Sequence, residues 1–142
     1  MPETISVGYN NMRFDDEVTR FMFWRNFIDP YEREYKDGCS RFDLFPLVVA
    51  TWALRPEGIA WPKVSTEDGQ ERVSFRLEHL SEANGLKHEH AHDALSDVEA
   101  TIEVARLIQS RQPRLWEYAL KLRSKDYVKT MAQSGKPLVW VS

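Results

Sequence analysis

Ile5-Ser6-Val7-Gly8-Tyr9-Asn10-Asn11-Met12-Arg13-Phe14-Asp15-Asp16-Glu17-Val18 is the stretch that sets the fold class. Its first five residues alternate and are rich in β-formers, which predicts a short strand. From Asp15 to Ile28 the pattern becomes helical. Val18, Phe21, Met22 and Ile28 recur at three- and four-residue spacing, with Trp24 and Phe27 beside them. The acidic trio Asp15-Asp16-Glu17 suits the positive end of a helix dipole, and Asp29-Pro30 is a stop signal. A strand, a connection of small and amide residues and a helix make an α/β unit. Ligands of α/β sheets usually sit off the strand ends, so Asp15 is the first candidate for chemistry. The plain alternative is that all three acids only charge a helix start.

Working outward, residues 31–40 are polar and irregular, with a turn at Asp37-Gly38. Residues 41–54 predict a very short strand near Phe42 and then a helix to about Leu54. Residues 55–70, with Pro56, Gly58, Pro62 and Gly69, read as a long loop of the kind that often carries function. Ser74 is placed as a helix cap ahead of Leu77 and Leu80, and Asn84-Gly85 as a left-handed stop. A helix from about 93 to Ser110 follows, with the apolar stripe Leu95, Val98, Ile102, Ala105 and Ile108. Pro113 opens another helix, Asp126 to Gln133 is a short one, and Pro137 to Val141 is extended. The fold class is α/β, with few strands and about five helices.

The 142 residues are the size of one domain and long enough to bury a core. A net charge of -3 excludes a globally basic, non-specific nucleic-acid binder. It does not argue against a phosphate-cutting site, which is itself acidic. Cys39 is the sole cysteine, so no internal disulfide is available and a reducing cytoplasm is expected. The first thirty residues lack the apolar core of a signal peptide. The run Leu44 to Leu54, broken by Pro46, is short of the ~20 residues that cross a bilayer. No membrane association is expected.

Asp97 is the second candidate. It stands at the edge of the apolar stripe, where a carboxylate needs a cation, hydrogen-bond donors or a turn toward water. His92, five residues earlier and ahead of the helix, is a base able to take a proton from water at neutral pH. His88 and His90 read as surface histidines. His88-x-His90-x-His92-Asp93 also admits a zinc site, but its order is unlike the usual His-x-His-x-Asp-His arrangement and no histidine or cysteine follows His92. Arg13, Arg20, Arg25, Arg41, Arg55, Arg76 and Trp61 could supply phosphate contacts and base stacking, against the plainer reading of solvated arginines.

Two segments together resemble a known family. Asn11-Met12-Arg13-Phe14-Asp15 is similar to the second motif, and His92-Asp93-Ala94-Leu95-Ser96-Asp97 to the third, of the ribonuclease H-like DEDDh 3′→5′ exonucleases. Longer stretches resemble the bacterial exonuclease I family of processive single-strand exodeoxyribonucleases. These are 8–20, 53–59 (Ala53-Leu54-Arg55-Pro56-Glu57-Gly58-Ile59), 75–80 and 111–115.

The resemblance implies two-metal hydrolysis of single-stranded DNA to 5′-mononucleotides, in repair and recombination. Asp15 and Asp97 would be ligands to Mg²⁺, with Mn²⁺ a substitute, and His92 the general base. Asn11, Arg13, Phe14, Arg20, Trp61 and Arg76 would contact DNA. Arg55 and Tyr118 would receive the C-terminal tail of a single-stranded-DNA-binding protein.

Family members open on a strand with an Asp-x-Glu pair that furnishes two further carboxylates, and carry SH3-like and helical C-terminal domains. Residues 1–142 are therefore expected to be a partial ribonuclease H-like exonuclease domain. Such a fragment would have little activity alone and would tend to self-associate through an uncovered strand edge. The alternative function is a non-catalytic module that binds single-stranded DNA or its binding protein.

Overall fold

The protein is described by a computed structural model over residues 3–11, 15–86 and 94–136. It is a mixed α/β chain of two compact units, one built from the described residues up to Leu44 and from Ala119 onward, the other from Phe45–Tyr118. Among the described residues no helix is long and apolar enough to cross a membrane.

In the first unit, β1 (Ile5–Gly8) pairs in parallel with β2 (Ser40–Asp43), in the register Ile5↔Ser40 to Gly8↔Asp43. The expected strand near Phe42 is therefore present. The connection between them holds α1 (Asp15–Arg25) and α2 (Glu32–Tyr35), and a 3-10 turn at Lys36–Gly38. This corrects the reading of 31–40 as irregular: the polar residues hide one helical turn closed by Asp37 at φ 52.

Helix α1 stops at Arg25, three residues short of the expected Ile28. Phe27 takes φ 58, and Ile28 N–H bonds the Phe23 carbonyl while Phe27 N–H bonds that of Trp24. That pair of bonds is a Schellman stop. It places an aromatic residue where glycine is the usual occupant, at a cost of about 1 kcal/mol. Helix α7 (Lys125–Gln133) follows as expected, its start capped by the Ser124 side chain.

In the second unit, α3 (Leu44–Leu54) tolerates Pro46 because the proline falls in its first turn, where the N–H has no helical partner. Leu44 itself belongs to the first unit. The long loop expected over 55–70 is corrected in part. Strands β3 (Lys63–Ser65) and β4 (Glu71–Val73) form an antiparallel hairpin, turned by Thr66–Gln70 with Gly69 at φ 74. Asp68-Gly69 between β-branched residues was the available signal.

Helix α4 begins at Leu77, later than expected, and Ser74 Oγ bonds the His79 ring instead at 2.8 Å. Its end is as expected, with Gly85 at φ 66 and the Leu86 N–H returning to the Ser81 carbonyl. Helices α5 (Ala94–Arg111) and α6 (Pro113–Lys121) complete the chain's described elements.

Helix α4 packs on α5, and the core of this unit is Leu47, Val48, Ile59, Leu80, Ala100, Val104 and Ile108. The stripe assigned to α5 is thus corrected. Leu95, Val98 and Ile102 are exposed, Leu95 by 64%, and only Ile108 of that row is buried. The helix carries two apolar rows, and α4 covers the row 100–104–108. The extended segment expected over 137–141 lies outside the described residues.

Candidate functional site

Strand β1 ends at Gly8, and the turn after it is tight. A Cβ on Gly8 would stand 2.6 Å from Asn11 Nδ2, so only glycine lets Asn11 fold back over the strand end. Asn10 adopts φ 57, a conformation asparagine accepts more readily than most residues. Its N–H donates to Asp43 Oδ1 at 2.7 Å. Asp43, buried at the carboxyl end of β2, therefore ties the end of the neighbouring strand in place.

Beside it, burial drives the Tyr9 phenol well above its ordinary 10.0, and the negative charge of Asp43 adds to the shift. A phenol held neutral in the fold contributes stability below its unfolded value and loses it as pH rises toward the folded one. Stability is therefore expected to decline once pH exceeds 10.0, with one of the five tyrosines failing to ionise while the chain stays folded. Tyrosinate absorbance followed alongside circular dichroism checks this; five tyrosines titrating together in folded protein would contradict it.

The acidic trio at the start of α1 divides sharply. Asp15 is exposed, whereas Asp16 is only 2% exposed. Arg33 Nη2 of α2 reaches Asp16 Oδ1 at 2.6 Å, and Arg41 Nη1 of β2 reaches Oδ2 at 2.8 Å. Arg41 also lies 3.4 Å from Glu34, which pairs with Arg20 at 2.8 Å, and Arg20 stacks over the Tyr31 ring. Of two adjacent aspartates, the structure leaves only Asp15 available to a ligand in water.

In the second unit, Asp97 is exposed in the first turn of α5. It heads the row that continues through Thr101, Val104 and Ile108, and Thr101 Oγ1 donates to its carbonyl at 2.8 Å. The row places a carboxylate where the buried face of the helix meets solvent.

The expected DNA-contacting residues are placed unevenly. Asn11 is 7% exposed, packed inside the turn instead of displayed on it, and its Oδ1 has no hydrogen-bond partner. Arg20 is committed to Glu34 and Tyr31. Trp61 is half-buried, donating from Nε1 to the Pro56 carbonyl at 2.9 Å and meeting Phe75 edge-on. Arg76 is exposed ahead of α4. Arg55 is exposed and Tyr118 half-buried on α6. Arg13, Phe14, His88, His90 and His92 lie outside the described residues.

Sequence reasoning missed Asp43, the Arg33–Asp16–Arg41 clamp and the Ser74–His79 pair, since each depends on partners distant along the chain or on a shifted helix start. Asp43 alone carried a signal, as an acid closing a β-rich run.

Asp15 and Asp97 offer carboxylate oxygens to solvent, the donor type that suits Mg²⁺ and Mn²⁺. Among the described residues no three His, Cys, Asp or Glu side chains form a group able to enclose an ion.

An α/β chain with an exposed acid after its first parallel strand, and a second on a later helix, matches an exonuclease family. The family model, of ribonuclease T type and described as exonuclease, covers residues 2–105, and the chain belongs to that family. Exodeoxyribonuclease I of Haemophilus influenzae is 51% identical over 143 residues, which is 99% of this chain and 29% of that protein. The Escherichia coli protein of the same name is 51% identical over all of this chain and 30% of its own length. A crystal structure of E. coli exonuclease I with a dA16 oligonucleotide superimposes with TM-score 0.83 at 52% identity, over 92% of this chain and 27% of that one. A solved ExoI/SSB-Ct complex gives TM-score 0.82 at 50% identity, over 92% of this chain and 27% of that one. The chain thus spans under a third of the length of these relatives.

Proposed function

We propose that this chain is a portion of the cutting domain of a 3′→5′ exodeoxyribonuclease that degrades single-stranded DNA to 5′-mononucleotides in the cytoplasm, in repair and recombination. The likeness to exodeoxyribonuclease I along almost every residue carries this reading. Asp15 and Asp97 would each be a ligand to a divalent cation, Mg²⁺ with Mn²⁺ as a substitute, and His92 would be the general base for the attacking water. When bound, such cations stabilise the entering and leaving oxygens of an in-line displacement. Arg76, exposed ahead of α4, is a phosphate contact, and Trp61 presents a rigid aromatic edge.

A second reading is a non-catalytic module. It is favoured by the likeness to a solved ExoI/SSB-Ct complex and by the exposure of Arg55. Here Arg55 and Tyr118 contact the tail of a single-stranded-DNA-binding protein, and nothing is cut.

A chimera separates the two. This chain replaces its counterpart in E. coli exodeoxyribonuclease I, and the product is assayed on a labelled single strand with Mg²⁺. Cutting within about tenfold of the parent enzyme is expected, since each decade is only ~1.4 kcal/mol of barrier. A folded chimera that binds the strand without shortening it would favour the module. The isolated 142-residue chain is expected to trim little or nothing, and clear Mg²⁺-dependent trimming by it would refute that part.

A further inference from the structure

Asp16 is adjacent to a candidate cation ligand yet is turned away from water and gripped from two sides. Consecutive helical residues are rotated by about 100°, so the direction of Asp16 fixes that of Asp15. The grip joins three elements: the first turn of α1, Arg33 of α2 and Arg41 of β2. An ion pair of this kind adds little net stability over a well-packed apolar replacement, so what it supplies is orientation. It also has an electrostatic consequence. Arg20, Arg33 and Arg41 outnumber Asp16 and Glu34 among these ion pairs, and removing the Asp16 charge would enlarge the positive surplus one residue from Asp15.

We propose that Asp16 is a positioning residue for the cation site at Asp15. Held between Arg33 and Arg41, it sets the rotation of the α1 N-terminus and neutralises guanidinium charge that would repel a divalent ion. The proposal rests on Asp15 being a cation ligand, and its test reads binding instead of cutting. Outer partners that orient a ligand typically change metal affinity by about 10- to 100-fold.

The experiment is a Mn²⁺ titration of the ¹⁵N-labelled 142-residue chain, following paramagnetic broadening of the amide signals of residues 15–17. The same spectra report whether the chain is folded. Local broadening is expected in the native chain and its loss in Asp15→Asn. Asp16→Asn, with a dispersed spectrum, is expected to need about tenfold more Mn²⁺. If Asp16→Asn does not fold, Arg41→Lys carries the test. It keeps the charge but gives up the directed guanidinium contact, and about a threefold weakening is expected. Phe42→Leu, which loosens β2 without touching the clamp, should keep the native midpoint. A folded Asp16→Asn or Arg41→Lys chain with unchanged midpoint overturns the proposal. So does a Phe42→Leu chain that weakens as much as the clamp variant. A native chain with no broadening at Asp15 removes the cation site itself, a failure visible before any clamp variant is compared.

Discussion

Asp97→Asn in the chimera is expected to lower cutting of single-stranded DNA by at least about a thousandfold, or ~4 kcal/mol of barrier. Asp15→Asn should do the same. The amide keeps the size and exposure of each side chain, so little else changes: both residues are exposed. What is lost is the negative charge that holds a divalent ion, and with it the stabilisation of both oxygens in the displacement. Affinity for the strand should stay within about threefold or improve slightly, because an acid near phosphates opposes binding. Initial rates and a filter-binding titration on the same preparations give both numbers. Cutting that persists at a tenth of the starting rate in either variant would mean that the residue is not a ligand.

Leu80→Ala is expected to destabilise the chain by about 3 kcal/mol and lower its melting temperature by roughly 10 °C. Leu80 is 1% exposed on α4, facing the α5 row that contains Val104 and Ile108 at 0% and 1%. Truncation removes three buried carbons and leaves a void that two packed helices close only in part. Leu95→Ala is the informative comparison. The same chemical change on the outward row of α5 should cost no more than about 0.5 kcal/mol. Denaturant unfolding of both variants decides the matter. Equal losses, or a larger one at Leu95, would place the core on the row that the apolar spacing alone suggested.

The two variants mark where the amino-acid pattern was sufficient and where it was not. Helix α5 was legible as a helix with nearly its true ends, since its periodicity is strong and Pro113 bounds the next element. Its rotation was not legible, because 95–98–102 and 100–104–108 are both apolar rows of helical spacing. The hairpin of β3 and β4 was overlooked because three-residue strands leave almost no alternation to detect. The Asp15 and Asp97 candidates came from motif letters and from their places at helix starts, and both prove exposed. Asn11, expected to contact DNA, is buried against Gly8 at the end of β1.

The sequence by itself determined the order of the strand and helices around Asp15, the left-handed stop at Gly85 and membership of an exonuclease family. These depend on neighbours a few residues apart. Only the tertiary structure decided that Asp15 faces water while Asp16 does not, that Asp43 ties the end of β1, and which side of α5 is core. Each of those depends on a partner brought near by folding: Arg33 and Arg41, Asn10, and Leu80. Local propensity selects the type of an element, but its azimuth is set by whichever distant group can satisfy a buried charge or cover an apolar row.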